Sequence, residues 1–323
     1  MIKYLLITLA LIVCILIYFK VADHFNIIDK PNTRSSHTAI TTRGGGIVFP
    51  FVIILYSIFF QEVYWGIVAA ILLISIISFC DDVSNLPNKV RLLVHLMSVS
   101  LLLFSIGAFQ TWPFWLLPIA YIVIIGTINA YNFMDGINGI TGLYSLVILS
   151  SLYFLSETIT RIADQAFILT PIIACVVFLF FNFRKKAKCF AGDVGSVSIG
   201  FWIIALLLLA ILETENLKYI LFLAVYGVDA VLTIIHRLIL KQNIFEAHRL
   251  HFYQILANER KVNHLIVSSI YGFVQLLINI FILSTEFGLF AYALFVIVPL
   301  SIIYIVVKPR LMAKAIKPSM VAK

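Results

Sequence analysis

The chain has 323 residues, of which 62% are hydrophobic and only 12% charged, and its mean hydropathy is +1.08. A soluble domain of this size needs far more polar surface, so the composition excludes one and points to an all-α, polytopic integral membrane protein. The formal charge of +8 invites a nucleic-acid reading, but its distribution along the chain argues for membrane topology and for no nucleic-acid partner.

Eleven apolar runs cover residues 3–19, 46–60, 65–80, 91–107, 112–129, 137–156, 166–182, 197–213, 218–236, 264–284 and 287–307. They predict about eleven transmembrane helices and leave no room for a separate soluble domain, so 1–323 reads as one membrane-embedded unit. The first run begins after Lys3 as a signal peptide does. No small-residue cleavage site follows it, and it reads as a retained helix. Cys14, Cys80, Cys175 and Cys189 have the spacing of neither a disulfide framework nor a metal site. When the loops are assigned alternately to two sides, all of the 23 Lys and Arg except Lys3, Arg161 and Lys218 fall on one of them. The positive-inside rule makes that side cytoplasmic, with the N-terminus outside and the C-terminus inside.

The opposite loops are short turns with interfacial aromatics. The basic side carries five polar clusters. The first runs from Asp29 through Arg34-Ser35-Ser36-His37 to Arg43-Gly44-Gly45-Gly46. Three glycines beside an arginine at a helix start suit phosphate contact through backbone N–H groups, against the plainer reading of a solvated hinge. The second is Asp81-Asp82, with Lys89 and Arg91 beyond. Adjacent carboxylates repel until a cation or proton settles one of them, and at a helix C-terminus they also oppose the macrodipole.

The third cluster, Asn129 to Gly139, gathers Asn132, Asp135, Gly136 and Asn138 where one helix ends and the next begins. Polar groups there call for partners, and an anionic ligand with a metal ion would supply them. In the fourth, Arg184-Lys185-Lys186-Ala187-Lys188 suits anionic lipid headgroups. Gly192-Asp193-Val194-Gly195-Ser196 follows, offering a carboxylate for a divalent cation beside N–H groups for an anion. The fifth is His248-Arg249-Leu250-His251. Two histidines at i, i+3 can bind zinc, but the arginine between them favours a cradle for a diphosphate. Asp229 is the one acid inside an apolar run, and structural pairing and function are equally open for it.

Four of these pieces carry a resemblance: Asp81-Asp82-x-x-x-Leu86-Pro87, Asn129-x-x-Asn132-x-x-Asp135-Gly136, Gly192-Asp193-x-Gly195-Ser196 and His248-Arg249-x-His251. In this order and on one face, the set resembles the polyprenyl-phosphate N-acetylhexosamine-1-phosphate transferases, which include phospho-N-acetylmuramoyl-pentapeptide transferase. The first and fifth loops look most like the O-antigen-initiating branch. The family often has Asp where this chain has Asn138. The resemblance implies transfer of N-acetylhexosamine-1-phosphate from a UDP-sugar to undecaprenyl phosphate with release of UMP, at the cytoplasmic face of the bacterial plasma membrane. It implies Mg2+ (or Mn2+) held by Asn132 and Asp193. Asp81 and Asp82 would position the acceptor phosphate, or one would act as base or nucleophile. Lys89 and Arg91 would pair with that phosphate, and His248, Arg249 and His251 with the donor diphosphate. Asp135, Gly136 and Asn138 would line the nucleotide or sugar side, and Arg43 and Asn129 would also bind substrate. Family members sometimes pair, which admits a homodimer. The alternative, a transporter of ions or lipid-linked sugar, would place its charges near the bilayer midplane within repeated broken helices, and no internal repeat is visible.

Overall fold

Every apolar run forms a helix, because a chain inside hydrocarbon must satisfy each backbone N–H and C=O within its own segment. The computed structural model describes residues 1–29, 40–60, 64–84, 86–244 and 248–316. Its helices are α1 (Ile2–His24), α2 (Val48–Phe60), α3 (Trp65–Ser84), α4 (Asn88–Ser105), α5 (Ala108–Thr111), α6 (Leu116–Met134) and α7 (Ile140–Thr158). They continue with α8 (Gln165–Asn182), α9 (Gly192–Thr214), α10 (Ala224–Ile239), α11 (Phe252–Gln254), α12 (His264–Ser284) and α13 (Leu289–Ile316). Two short strands, β1 (Ile28–Asp29) and β2 (Thr41–Thr42), pair antiparallel. Arg34 to His37 of the first cluster and Phe245 to Ala247 beside the fifth lie outside the described residues.

Among the described residues, ten helices are long and apolar enough to cross a membrane. The run at 46–60 yields a shorter one, Gly45–Phe60, in which a 3-10 turn leads into α2. At 1.5 Å per residue it is about 24 Å long, less than a hydrocarbon core of about 30 Å.

The innermost helix is α9, in which every residue from Val194 to Leu208 is buried. Helices α2, α3, α6 and α7 pack against it, and α1, which is apolar on all sides, shows how the periphery differs. Ile7, Leu11 and Ile15 face inward, while Leu5, Leu9 and Leu16 stay on the outer, lipid-facing surface. Where α9 meets its neighbours, missing side chains set the distance. A Cβ on Gly46 would lie 2.2 Å from the Gly195 Cα, so two backbones touch there.

The loops separate to two ends as the alternation predicts. At one end Lys3 donates to the Phe59 carbonyl, the Asp164 N–H donates to the Tyr64 hydroxyl, and Lys218 pairs with Glu286 at 3.0 Å. The polar clusters meet at the other.

Candidate active site

Two loops about 150 residues apart are zipped together by main chain. Thr42 bridges to Cys189, and the Phe190 N–H donates to the Thr42 carbonyl at 2.9 Å. The Gly45 and Gly46 N–H groups then donate to the carbonyls of Phe190 and Ala191 at 2.8 and 3.0 Å. This corrects one expectation. The N–H groups of Gly45 and Gly46 are already used inside the fold and are not free for phosphate. What the glycines supply is proximity, which brings Arg43 beside Asp193.

The start of α9 carries a second correction. The N–H groups of Asp193 and Val194 do not wait for an anion. They donate to the Asp82 carboxylate at 3.0 and 2.9 Å. A carboxylate at a helix N-terminus is well placed for both the orphan donors and the macrodipole. Asp82 thus ends α3 and caps α9, and the unfavourable site read from the sequence is compensated by a neighbouring helix. Gly192 allows the approach: its φ is +71°, and a Cβ would lie 2.6 Å from the Asp82 carboxylate.

Two arginines bind the acids into one network. Arg43 pairs with Asp82 at 2.7 Å and with Asp193 at 3.3 Å. Arg91 pairs with Asp81 at 2.9 Å and reaches Asp193 at 3.5 Å. Asp81 also accepts the Leu86 N–H at 2.7 Å, which fixes the loop before α4. Asp193 is the acid held most loosely and the one the arginines share.

A cavity of about 290 Å³ opens beside this network. Of the residues singled out in the sequence, Arg43, Asn132, Asp135, Gly136, Asn138 and Asp193 line it. Burial lifts the Asp135 carboxyl to about 7. Asp193 and Asp82 add to the lift, while the 2.6 Å hydrogen bond from Thr141 opposes it. Asn138 is both wall and bolt: its Nδ2 donates to the Arg184 carbonyl at 2.7 Å, and its own carbonyl accepts from Ser268. Gly136 lies against Tyr253, whose hydroxyl donates to the Phe133 carbonyl at 2.8 Å.

The remaining candidates stand back from the cavity. Lys89 is exposed at the start of α4, and Asn129 lies about one turn deeper than Asn132 on α6. His251 is buried, and its ring stacks on Phe133 at 6.2 Å between centroids. His248 lies 4.9 Å from it, ring to ring, and the Leu250 N–H donates to the His248 Nδ1. Burial, aided by His251, Arg237 and Lys308, pushes His248 down to about 4, so it is neutral at pH 7 and carries its proton on Nε2. Arg249 is half-buried in the same segment.

Sequence reasoning assigned no role to Asp29, Asn182, Gln254 and His264, which also line the cavity. Asn182 holds it together, since its Oδ1 accepts the Gly139 N–H at 2.6 Å and its Nδ2 donates to the Cys189 carbonyl. A lone carboxamide closing an apolar run was the available signal.

The oxygen donors Asn132, Asp135 and Asp193 on one wall suit a hard divalent cation. Among the described residues no group of three or more His, Cys, Asp or Glu is arranged to hold a metal by itself. Mg2+ does not require that, because it takes one or two carboxylates and completes its shell with phosphate oxygens and water. The Asn132 Nδ2 is buried without a hydrogen-bond partner among the described residues, so the fold does not occupy the donor end of that carboxamide.

Comparison with known proteins gives this geometry a context. Residues 64–211 match the family model of glycosyl transferase family 4. The chain is 26% identical to the probable undecaprenyl-phosphate N-acetylglucosaminyl 1-phosphate transferase of Bacillus subtilis, over 86% of this chain and 84% of that protein. It is 31% identical to the undecaprenyl-phosphate alpha-N-acetylglucosaminyl 1-phosphate transferase of Yersinia pestis, over 59% of this chain and 57% of the relative. The match to the phospho-N-acetylmuramoyl-pentapeptide-transferase of Thermotoga neapolitana is 25% identical, over 74% and 83%. The Yersinia match thus spans less than two thirds of that relative's length. The segment that matches glycosyl transferase family 4, residues 64–211, runs from the start of α3 into α9 and includes Asp81, Asp82, Asn132, Asp135 and Asp193.

Proposed function

We propose that the protein transfers N-acetylhexosamine-1-phosphate from a UDP-sugar to undecaprenyl phosphate and releases UMP. The observation that carries this reading is the junction at one end of the bundle. There acids from two helices are paired with Arg43 and Arg91 around a cavity of about 290 Å³. The names of the relatives support the reaction class and make UDP-N-acetylglucosamine the first donor to assay. The basic loops, by the positive-inside rule, support a cavity that would open at the cytoplasmic face of the plasma membrane, where a soluble nucleotide and a membrane-held lipid can meet.

In the reaction, an oxygen of the acceptor phosphate bonds to the sugar-bearing phosphorus, the bridging P–O bond breaks, and UMP leaves with the bridging oxygen. The acceptor phosphate has a second pKa near 6, so it is largely ionised at neutral pH and needs no strong base. Donor and acceptor are both anions, so positioning and charge neutralisation supply most of the rate. Asp193 and Asn132 would hold Mg2+ or Mn2+, which when bound neutralises the donor diphosphate. Arg43 and Arg91 are divided between acids in the resting site, and their guanidinium groups would turn to the phosphates. Asp81 aims Arg91, and Asp82 holds the start of α9 so that Asp193 faces the cavity. Asp135, Gly136 and Asn138 shape the wall for the nucleotide sugar.

The test is UMP release by purified protein given undecaprenyl phosphate, Mg2+ and a panel of UDP-N-acetylhexosamines. Release with at least one donor supports the reading; none with any donor overturns it.

A further inference from the structure

The acid inside the apolar run is the hub of its own network. Asp229 is on α10 and only 3% exposed. Its Oδ1 accepts the Phe252 N–H at 2.9 Å and the Thr233 hydroxyl at 3.2 Å. Its Oδ2 accepts the Tyr271 hydroxyl at 2.7 Å and the Tyr253 N–H at 3.4 Å. The His251 Nδ1 lies 3.4 Å from Oδ1. One carboxylate therefore gathers the first residues of α11 and the imidazole that precedes them.

The mount of Asp229 is also specified. The segment Leu217–Leu223 is a 3-10 turn that becomes α-helical at Ala224, and such a break frees backbone groups that hydrocarbon cannot satisfy. Gln275 on α12 spans the break. Its Oε1 accepts the Val225 N–H at 3.0 Å, and its Nε2 donates to the Leu221 carbonyl at 3.1 Å. The Tyr144 hydroxyl accepts the Tyr226 N–H and donates to the Gln275 Oε1 at 2.7 Å. The helix that carries Asp229 is pinned about one turn below it.

The Asp229 carboxylate faces Nδ1 at 3.4 Å, which favours a proton on that nitrogen and leaves Nε2 as the ring's other end. His251 is 2% exposed, and among the described residues neither ring nitrogen has a hydrogen-bond partner, so the Nδ1 contact with Asp229 is an electrostatic one and Nε2 is free. Its ring rests on Phe133, in the stretch whose neighbours Asn132, Asp135 and Gly136 line the cavity. A buried, unpartnered ring nitrogen one residue layer from the cavity has a use only if something orients it.

We propose that Asp229 is a positioning residue for the transfer reaction: it fixes the tautomer and orientation of His251, so that Nε2 meets the substrate in the conformation the reaction needs. This rests on the function proposed above. Asp229 itself touches no substrate, and its effect passes through His251. By analogy with carboxylates that orient imidazole ligands, its loss is expected to lower activity about 10- to 100-fold.

The experiment uses full-length protein in nanodiscs labelled with 15N-histidine, with the His251 signal assigned by its loss in His251→Asn. Asp229→Asn is expected to change the His251 nitrogen shifts and to lower kcat by the stated factor with little change in KM. In the His251→Asn background, adding Asp229→Asn should lower kcat less than about 3-fold further, because residues that act as a unit are non-additive. Tyr271→Phe removes one hydrogen bond and keeps the carboxylate, and a smaller change in the His251 signal is expected from it. If Asp229→Asn does not fold, Tyr271→Phe decides alone: a changed His251 signal supports the proposal and an unchanged one overturns it. Unaltered His251 shifts in Asp229→Asn, or multiplicative losses in the double variant, overturn it as well. Wild type that releases no UMP refutes the proposed function, while the nitrogen shifts still decide whether Asp229 sets the state of His251.

Discussion

Replacing Asp82 by Asn separates a role in the fold from a role in the chemistry. The Asp82 side chain is fully buried and accepts two backbone N–H groups, at 3.0 and 2.9 Å, as well as the Arg43 guanidinium at 2.7 Å. Asn keeps one acceptor oxygen and turns an NH2 toward a donor. At least one charge-assisted hydrogen bond is lost, worth about 1.5–3 kcal/mol, and a buried N–H is left unpaired at about 1–3 kcal/mol more. Arg43 is 34% exposed, so water replaces part of its pairing and the ion-pair share is discounted. The sum is about 3 kcal/mol. At about 2 °C per kcal/mol for a chain of this length, the midpoint falls by roughly 5 °C in a detergent thermal scan without substrate. Asp81→Asn is the internal comparison: its side chain is 10% exposed and accepts one backbone N–H, so it should lose about 1 kcal/mol. A midpoint for Asp82→Asn within about 1 °C of wild type, with turnover abolished, would refute the capping argument and return Asp82 to the reacting groups.

Asp193→Asn should do the reverse, because its arginine contacts are long: we expect near-normal thermal stability, at least about 100-fold slower UMP release, and loss of stabilisation by Mg2+ with nucleotide. Asp135 supplies a pH signature. Its folded value of about 7 lies above the ordinary carboxylate value, so the folded state holds more protons than the unfolded state between about pH 4 and 7. Stability of EDTA-treated protein should fall as pH rises through that window, and Asp135→Asn should flatten the fall; equal slopes for the two proteins would refute the assignment. Gly46→Ala should destabilise by about 1–3 kcal/mol and impair transfer, since its Cβ would meet backbone at 2.2 Å. Gly126→Ala on α6, where a Cβ meets nothing within 4 Å, should be neutral or stabilising by about 0.5–1 kcal/mol. Both are read by thermal scan.

Much of this was legible in the chain. Apolar runs define helices because hydrocarbon leaves the backbone few alternatives, and the uneven Lys and Arg content separated the loops into the two ends that the contacts display. The pairing of Arg43 with Asp193 was not legible, since it depends on backbone hydrogen bonds between Gly45, Gly46, Phe190 and Ala191, and a sequence does not register which N–H groups are in use. The capping role of Asp82 was not legible for a related reason. Its place at the end of α3 is local information, whereas its place at the start of α9 is tertiary. Gln254, Asp29 and His264 have no periodicity that marks a cavity wall, and only the fold gathers them. Asp229 stood out as costly in an apolar run, but its partners come from α11 and α12.

The zipper between the Arg43 loop and the start of α9 bears on how the site can move. Of the ten long helices, α9 is buried over the largest share of its length, and Asp193, Asp82 and Arg43 are fastened to its first turn. Shifting the backbone of any of them means displacing the centre of the bundle, so this side acts as an anvil on which only side chains turn. Gln254 and His264 line the same cavity from other segments, the end of α11 and the start of α12, and adjustment to the proposed nucleotide sugar, or divergence toward a different sugar, would fall to them. Chemistry and selectivity rest on parts of unequal stiffness.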